Sequence, residues 1–237
     1  MKKPAKAKPA VLLRTPEQET IETLSKLLRA TRDSMPKSHA VRLHRALSWL
    51  KCASQQLDNL DLRFVSLWVA FNACYANGED ADKDLREREA FRTFVSKLVQ
   101  HDANRCIYNL LWDKFSGPVK ALIENRYVFQ PFWEGQRSLA KENGDSQWPQ
   151  RFDHHKKNAM QYLANQRVTL LLAEVLDRLY VLRNQLMHGG ATFQSKINRA
   201  QVRDGCNMLA MLMPVFVAIM LEAKDEEWGE IYYPVVE

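Results

Sequence analysis

The chain has 237 residues, 46% apolar and 26% charged, with a formal charge of +6 from 34 basic and 28 acidic side chains. This is ordinary soluble-protein chemistry, long enough to bury a core in one elaborated domain, and the modest positive excess favours an anionic partner such as RNA without requiring one. Four widely spaced cysteines (Cys52, Cys74, Cys106, Cys206) with no Cys-x-x-Cys pair indicate neither a zinc site nor a disulfide framework, and they suit a reducing cytosol.

Residues 1–14 read as a disordered basic tail: Lys2, Lys3, Lys6 and Lys8 stand among Pro and Ala, with no apolar stretch behind Met1–Ala10 to make a secretory signal. Residues 15–237 read as a single all-α domain. Thr15-Pro16-Glu17-Gln18 predicts a capped start with a capping-box glutamine, and the helix runs to about Arg32, burying Ile21, Leu24, Leu27 and Leu28. A second helix starts near Lys37 and carries Val41, Leu43, Leu47, Trp49 and Leu50. The third, about Asp61 to Tyr75, is apolar nearly all round and is expected at the centre, closed by a left-handed cap at Asn77-Gly78.

Glu79 to Arg92 is expected to be a solvated loop leading into a helix with Phe91, Phe94, Val95 and Leu98. Arg105 to Phe115 predicts a short helix stopped by Gly117-Pro118. Tyr127 to Gln150 mixes aromatic residues with Pro131, Gly135, Gly144 and Pro149, and predicts an irregular excursion from the helical core. Helices resume at about Arg151–Gln166, Leu170–His188 and Arg199–Ala223, before an acidic tail and an extended end around Ile231-Tyr232-Tyr233-Pro234. The run from Met208 to Leu221 is too short to span a bilayer and contains Pro214, so no membrane partner is expected.

The helix ending at His188 carries the chemistry. Leu172, Val175, Leu176, Leu179, Leu182 and Leu186 make its core stripe, while Glu174, Asp177, Asn184 and His188 share another face. Asn184 and His188 are i, i+4 neighbours. Arg183 has Leu179, Tyr180, Leu186 and Met187 around it, an expensive setting for a permanent cation without an anion. Two readings stay open for it: neutralisation by a carboxylate of another helix, or service to a ligand. For His188, at the Gly189-Gly190 helix stop, the readings are a C-terminal cap and a proton carrier. Arg183 and His188 diverge by about 140° on one helix, so they would flank one phosphate only across a groove shared with a second copy.

Arg183-Asn184-x-x-x-His188, with glycines after the histidine, resembles the Arg-x4-6-His motif of the HEPN superfamily of helical ribonucleases. The helix with Trp68-Val69-Ala70-Phe71-Asn72 is similar to the buried helix that precedes this motif in larger bacterial members. The resemblance covers mainly Leu60–Asn77 and Leu170–Leu221. It implies a HEPN-like helical bundle with extra N-terminal helices and an irregular aromatic-rich central insertion. It implies a metal-independent endoribonuclease that uses no cofactor, acts on RNA as a homodimer through the motif helix, and leaves a 2′,3′-cyclic phosphate and a 5′-hydroxyl. The implied catalytic residues are Arg183, Asn184 and His188. A setting in toxin–antitoxin or antiviral defence, with an antitoxin or regulatory protein as a further partner, comes from the same resemblance. The alternatives are a non-catalytic HEPN-like module binding RNA, a nucleotide or a partner protein, and a purely structural domain with Arg183 sealed by an internal carboxylate.

Other residues give weaker signals. Asn72 in the apolar helix is expected to bond neighbouring backbone. Asp153-His154-His155 reads as a surface helix start, since adjacent histidines on a helix face different ways. His39 and His44 give no ligand spacing, and Met208, Met211, Met213 and Met220 read as core or interface. Arg137, Lys141, Arg151, Lys156 and Lys157 would either guide RNA to a cleft or form a solvated surface.

Overall fold

The computed structural model describes residues 15–76, 85–139, 147–196 and 198–236, with backbone alone for 85–90. The architecture is all-α, with ten α-helices and no strand among the described residues. They are α1 (Pro16–Thr31), α2 (Lys37–Ala53), α3 (Leu60–Tyr75), α4 (Leu85–His101), α5 (Cys106–Asn109), α6 (Ser116–Glu124), α7 (Gln130–Leu139), α8 (Trp148–Ala164), α9 (Val168–Met187) and α10 (Arg199–Glu222). The expected basic tail, the Asn77-Gly78 cap and Lys141 lie outside the described residues.

The N-terminal capping box forms as its sequence dictates. Thr15 Oγ1 accepts from the Gln18 amide at 3.3 Å, and Gln18 Oε1 accepts from the Thr15 amide at 3.0 Å. Helix α3 lies at the centre, with Phe64, Leu67, Ala70, Phe71 and Cys74 fully buried, and it packs on α2, α10 and α9. Gly205 of α10 sets the spacing of that junction. A methyl group there would lie 2.8 Å from Phe64 of α3 and 3.0 Å from Leu179 of α9, so only a bare backbone lets the three helices close.

Helix α10 has 24 residues and is long and apolar enough to cross a membrane. Its apolar surface is instead largely used in this core: Met208, Leu212, Met213, Phe216, Val217 and Met220 are all fully buried. The expected short run is thus part of one longer helix that continues through Pro214.

Several expectations need correction. Leu27, expected in the core, is 44% exposed, because the core face of α1 is narrower than its apolar sequence. Gly117-Pro118 do not simply stop a helix. The chain passes from α5 through a π-turn at Leu110–Lys114, closed by the Phe115 amide on the Leu110 carbonyl, and Gly117-Pro118 sit in the first turn of α6. Among its described residues, Tyr127–Gln150 is largely helical. Pro131 and Pro149 occupy first turns, where a missing amide hydrogen costs nothing, so they start α7 and α8 instead of breaking them. The helix predicted after a loop reaching Arg92 already runs from Leu85.

One buried cation and a cluster around Glu226 anchor the periphery. Arg42 on α2 is fully buried and donates to the Cys74 carbonyl at 2.6 Å and the Gly229 carbonyl at 2.7 Å, tying the end of α3 and the C-terminal segment to α2. Lys97 and His101 of α4 hold Glu226 at 2.9 and 2.8 Å, and Trp228 packs against His39, Phe94 and His101.

Candidate functional site

The C-terminal turn of α9 is built by three constraints. The leucine stripe fixes its rotation: Leu172, Val175, Leu176, Leu179 and Leu182 are buried, and Leu186 packs at the edge. The helix stops where expected. Gly189 takes φ +69°, and the Gly190 amide donates to the Gln185 carbonyl at 2.7 Å, the six-to-one bond of a Schellman ending. Gln185 then locks the end to its neighbours. Its Oε1 accepts from Asn198 at the start of α10 at 2.7 Å, and its Nε2 donates to the Tyr127 carbonyl.

Within this frame Arg183 is half-buried and pairs with no carboxylate among the described residues. Its Nη1 donates to Asn184 Oδ1 at 2.8 Å, its guanidinium lies 6.0 Å from the centre of the Tyr180 ring, and its buried Nε has no acceptor. Asn184 Oδ1 is thereby occupied, which leaves its amide NH2 to donate to an anionic oxygen. His188 is the C-cap residue; its backbone amide donates to the Asn184 carbonyl at 3.0 Å while the imidazole is exposed.

The three motif residues therefore sit on one helical end, with Arg183 and Asn184 in contact. Arg183 and His188 point apart, as five residues of helix require. Exposed apolar side chains lie within and after the motif: Met187 is 51% exposed and Phe193 63%.

Five residues before Arg183 on the same helix, Arg178 behaves oppositely. It is fully buried, 2.9 Å from Glu174 Oε1, and sandwiched near Phe129 and Phe152, with ring centres at 4.6 and 5.7 Å. Burial lowers its pKa, and the Glu174 and Asp177 charges oppose that shift. The sealed arginine of this helix is thus Arg178. Glu174, expected on the same face as His188, serves this inner pair, with His155 3.7 Å away. Sequence reading passed over both Arg178 and Gln185: Gln185 bonds other segments, and although Glu174 lies one turn from Arg178, the Phe129 and Phe152 rings that enclose Arg178 come from far along the chain.

The remaining sites fall into place. Asn72 departs from expectation: its buried Oδ1 has no hydrogen-bond partner, so the expected tie to backbone through that oxygen is not made. His39 is buried and bonds the Met220 carbonyl at 2.9 Å, while His44 is exposed. His154 bonds Asn158 on the α8 surface. Arg137, Arg151 and Lys157 are exposed, and Lys156 lies 3.6 Å from Glu124. No three His, Cys, Asp or Glu side chains converge as a metal site among the described residues. Cys74 and Cys206 are free buried thiols whose pKa burial pushes up to about 12.

A cleft of about 1080 Å³ lies between α1 and α2, lined by Ile21, Leu28, Met35, His44 and Lys51 among others. It shares no residue with α9. No known protein family, curated protein or solved structure matches the chain.

Proposed function

We propose that the protein is a metal-independent endoribonuclease of HEPN type, acting as a homodimer through the end of α9. The observation that carries this is Arg183: a half-buried guanidinium without a carboxylate among the described residues, bonded to Asn184 and five residues along the chain from an exposed His188. A cation held in that way lacks the anion that its desolvation calls for, and a phosphodiester supplies one.

In the reaction, His188 takes the proton of the ribose 2′-hydroxyl, or returns a proton to the leaving oxygen. The 2′-oxygen bonds to phosphorus, the bond to the 5′-oxygen breaks, and the products are a 2′,3′-cyclic phosphate and a 5′-hydroxyl. Arg183 stabilises the extra negative charge on the five-coordinate phosphorus, and the Asn184 NH2 orients a phosphate oxygen. Because Arg183 and His188 diverge on one helix, the groove needs both copies, with the exposed Met187 and Phe193 at the contact. Free buried thiols fit work in the cytosol, where a toxin or antiviral effector would meet RNA.

The test is cleavage of RNA by purified protein in EDTA, with analysis of the new ends. Cyclic phosphate ends that vanish in Arg183→Ala and His188→Ala support the reading. Undiminished cleavage in both variants overturns it.

A further inference from the structure

An aromatic group stands against the motif helix without belonging to the motif. A short 3-10 turn (Arg126–Val128) leads into α7 and brings Tyr127, Phe132 and Trp133 together. Phe132, itself buried, meets Tyr127, Trp133 and Trp148 edge-on, at ring-centre distances of 5.3, 5.0 and 4.9 Å. The Tyr127 carbonyl accepts twice, from the Trp133 indole at 2.8 Å and from Gln185 of α9. Backbone bonding and edge-on packing therefore fix the position of these rings before any ligand arrives.

The outer member of the group packs at its edge on Phe132 and keeps part of its surface in solvent. Tyr127 is 42% exposed, and the exposed Arg126 guanidinium lies 5.1 Å from its ring centre and bonds its hydroxyl at 3.1 Å. Arg137, at the last turn of α7, is exposed as well. Neither arginine pairs with a carboxylate among the described residues. A rigid exposed ring with an adjacent guanidinium is what an unpaired nucleotide requires, since the base stacks on the ring and the phosphate meets the cation. A duplex presents no free base face.

The location decides the use. Gln185, bonded to the Tyr127 backbone, lies three residues before His188 and about 60° from it around α9. The ring group therefore borders the motif on the His188 side, away from Arg183. We propose that Tyr127, with Arg126, is a stacking subsite that holds an unpaired base of single-stranded RNA beside His188. This rests on the ribonuclease reading for its substrate, and it adds that the substrate strand is single-stranded where it is held.

The experiment measures binding of the full chain to a labelled single-stranded RNA 12-mer, and to the same strand in a duplex, by fluorescence anisotropy. Wild type, Tyr127→Ala and Tyr127→Phe are compared. Both substitutions keep the backbone carbonyl that Gln185 and Trp133 use, so the fold around it is retained, and thermal melting checks this. Tyr127→Ala should weaken single-strand binding by about 5- to 150-fold, the range for loss of one base–aromatic stack. Tyr127→Phe should bind as wild type does, and duplex binding should not respond to either change. Equal binding by wild type and Tyr127→Ala, equal loss in both variants, or no single-strand binding at all overturns the subsite. Tyr127-dependent binding by a protein that leaves RNA uncut overturns the ribonuclease reading alone.

Discussion

Arg178 and Arg183 stand five residues apart on α9, and of the two only Arg178 has a carboxylate among the described residues. Arg178 lies 2.9 Å from Glu174 with no exposed surface, whereas Arg183 is half-buried and bonded to an amide. One helix thus carries a cation built into the core and a half-buried cation bonded to an amide. The two should respond oppositely to substitution.

Arg183→Lys keeps the charge but loses the planar fork, so it separates geometry from charge. Cleavage should fall by about 10²–10³-fold, the usual effect of removing one transition-state donor. Stability should stay within about 0.5 kcal/mol, because no buried ion pair is broken. Urea melts beside single-turnover rates check both, and a large loss of stability would return Arg183 to the structural account.

Glu174→Gln makes the contrast. It leaves the fully buried Arg178 without its carboxylate, with Phe129 and Phe152 as its main neighbours. Breaking a buried pair from one side costs about 3–5 kcal/mol. The urea midpoint should therefore drop markedly while the RNA-cleaving step, measured under conditions where the protein stays folded, is little changed. An unchanged midpoint would show that the two rings alone suffice for the guanidinium.

Which of these features the sequence displays depends on how local their causes are. The Thr15 capping box, the leucine stripe of α9 and the Gly189 stop arise from residues within a turn or two, and each is found where its pattern puts it. Arg178 lies between Val175 and Leu182 on the helical wheel yet carries a charge; what seals it, the Phe129 and Phe152 rings, and the Gly229 carbonyl that takes Arg42, lie far along the chain. Pro131 and Pro149 mislead for a different reason. Proline breaks a helix interior but suits a first turn, and which applies depends on where the preceding turn ends. Arg183, Asn184 and His188 were legible as a spacing. That Arg183 meets no carboxylate among the described residues was not, because any distant Asp or Glu could have met it.

Gly189→Ala tests the helix stop. Nothing lies within 4 Å of the added methyl, so the cost is that of holding a non-glycine residue at φ +69°, about 1–2 kcal/mol. The ending should fray, releasing the bond from Gly190 to Gln185 and loosening His188. Cleavage should fall by more than the stability change predicts under conditions where both proteins are folded. Parallel urea melts and cleavage rates decide it, and a variant as active as wild type would detach His188 from the geometry of the stop.

Acid should act on the core through His39. Its Nε2 donates to the Met220 carbonyl at 2.9 Å, so the neutral ring leaves Nδ1 bare, and that atom is buried without a partner. Burial lowers its pKa below the ordinary 6.5, the Arg42 charge acts the same way, and the Met220 bond opposes them. The sign follows from proton uptake: the unfolded chain binds a proton at about 6.5 and the folded chain only at lower pH. Stability is therefore complete above pH 6.5 and declines as pH falls through the lower folded value. Glu226, whose pKa is held below 4.5 by its bond to His101, adds its own acid loss only beneath that value. Urea midpoints compared at pH 7.5 and 5.5 thus sample the histidine and avoid the carboxylate. Wild type should lose stability across that interval, and His39→Gln, which keeps a donor for the Met220 carbonyl, should lose less. Identical pH dependence in the two proteins would move the acid sensitivity to another group.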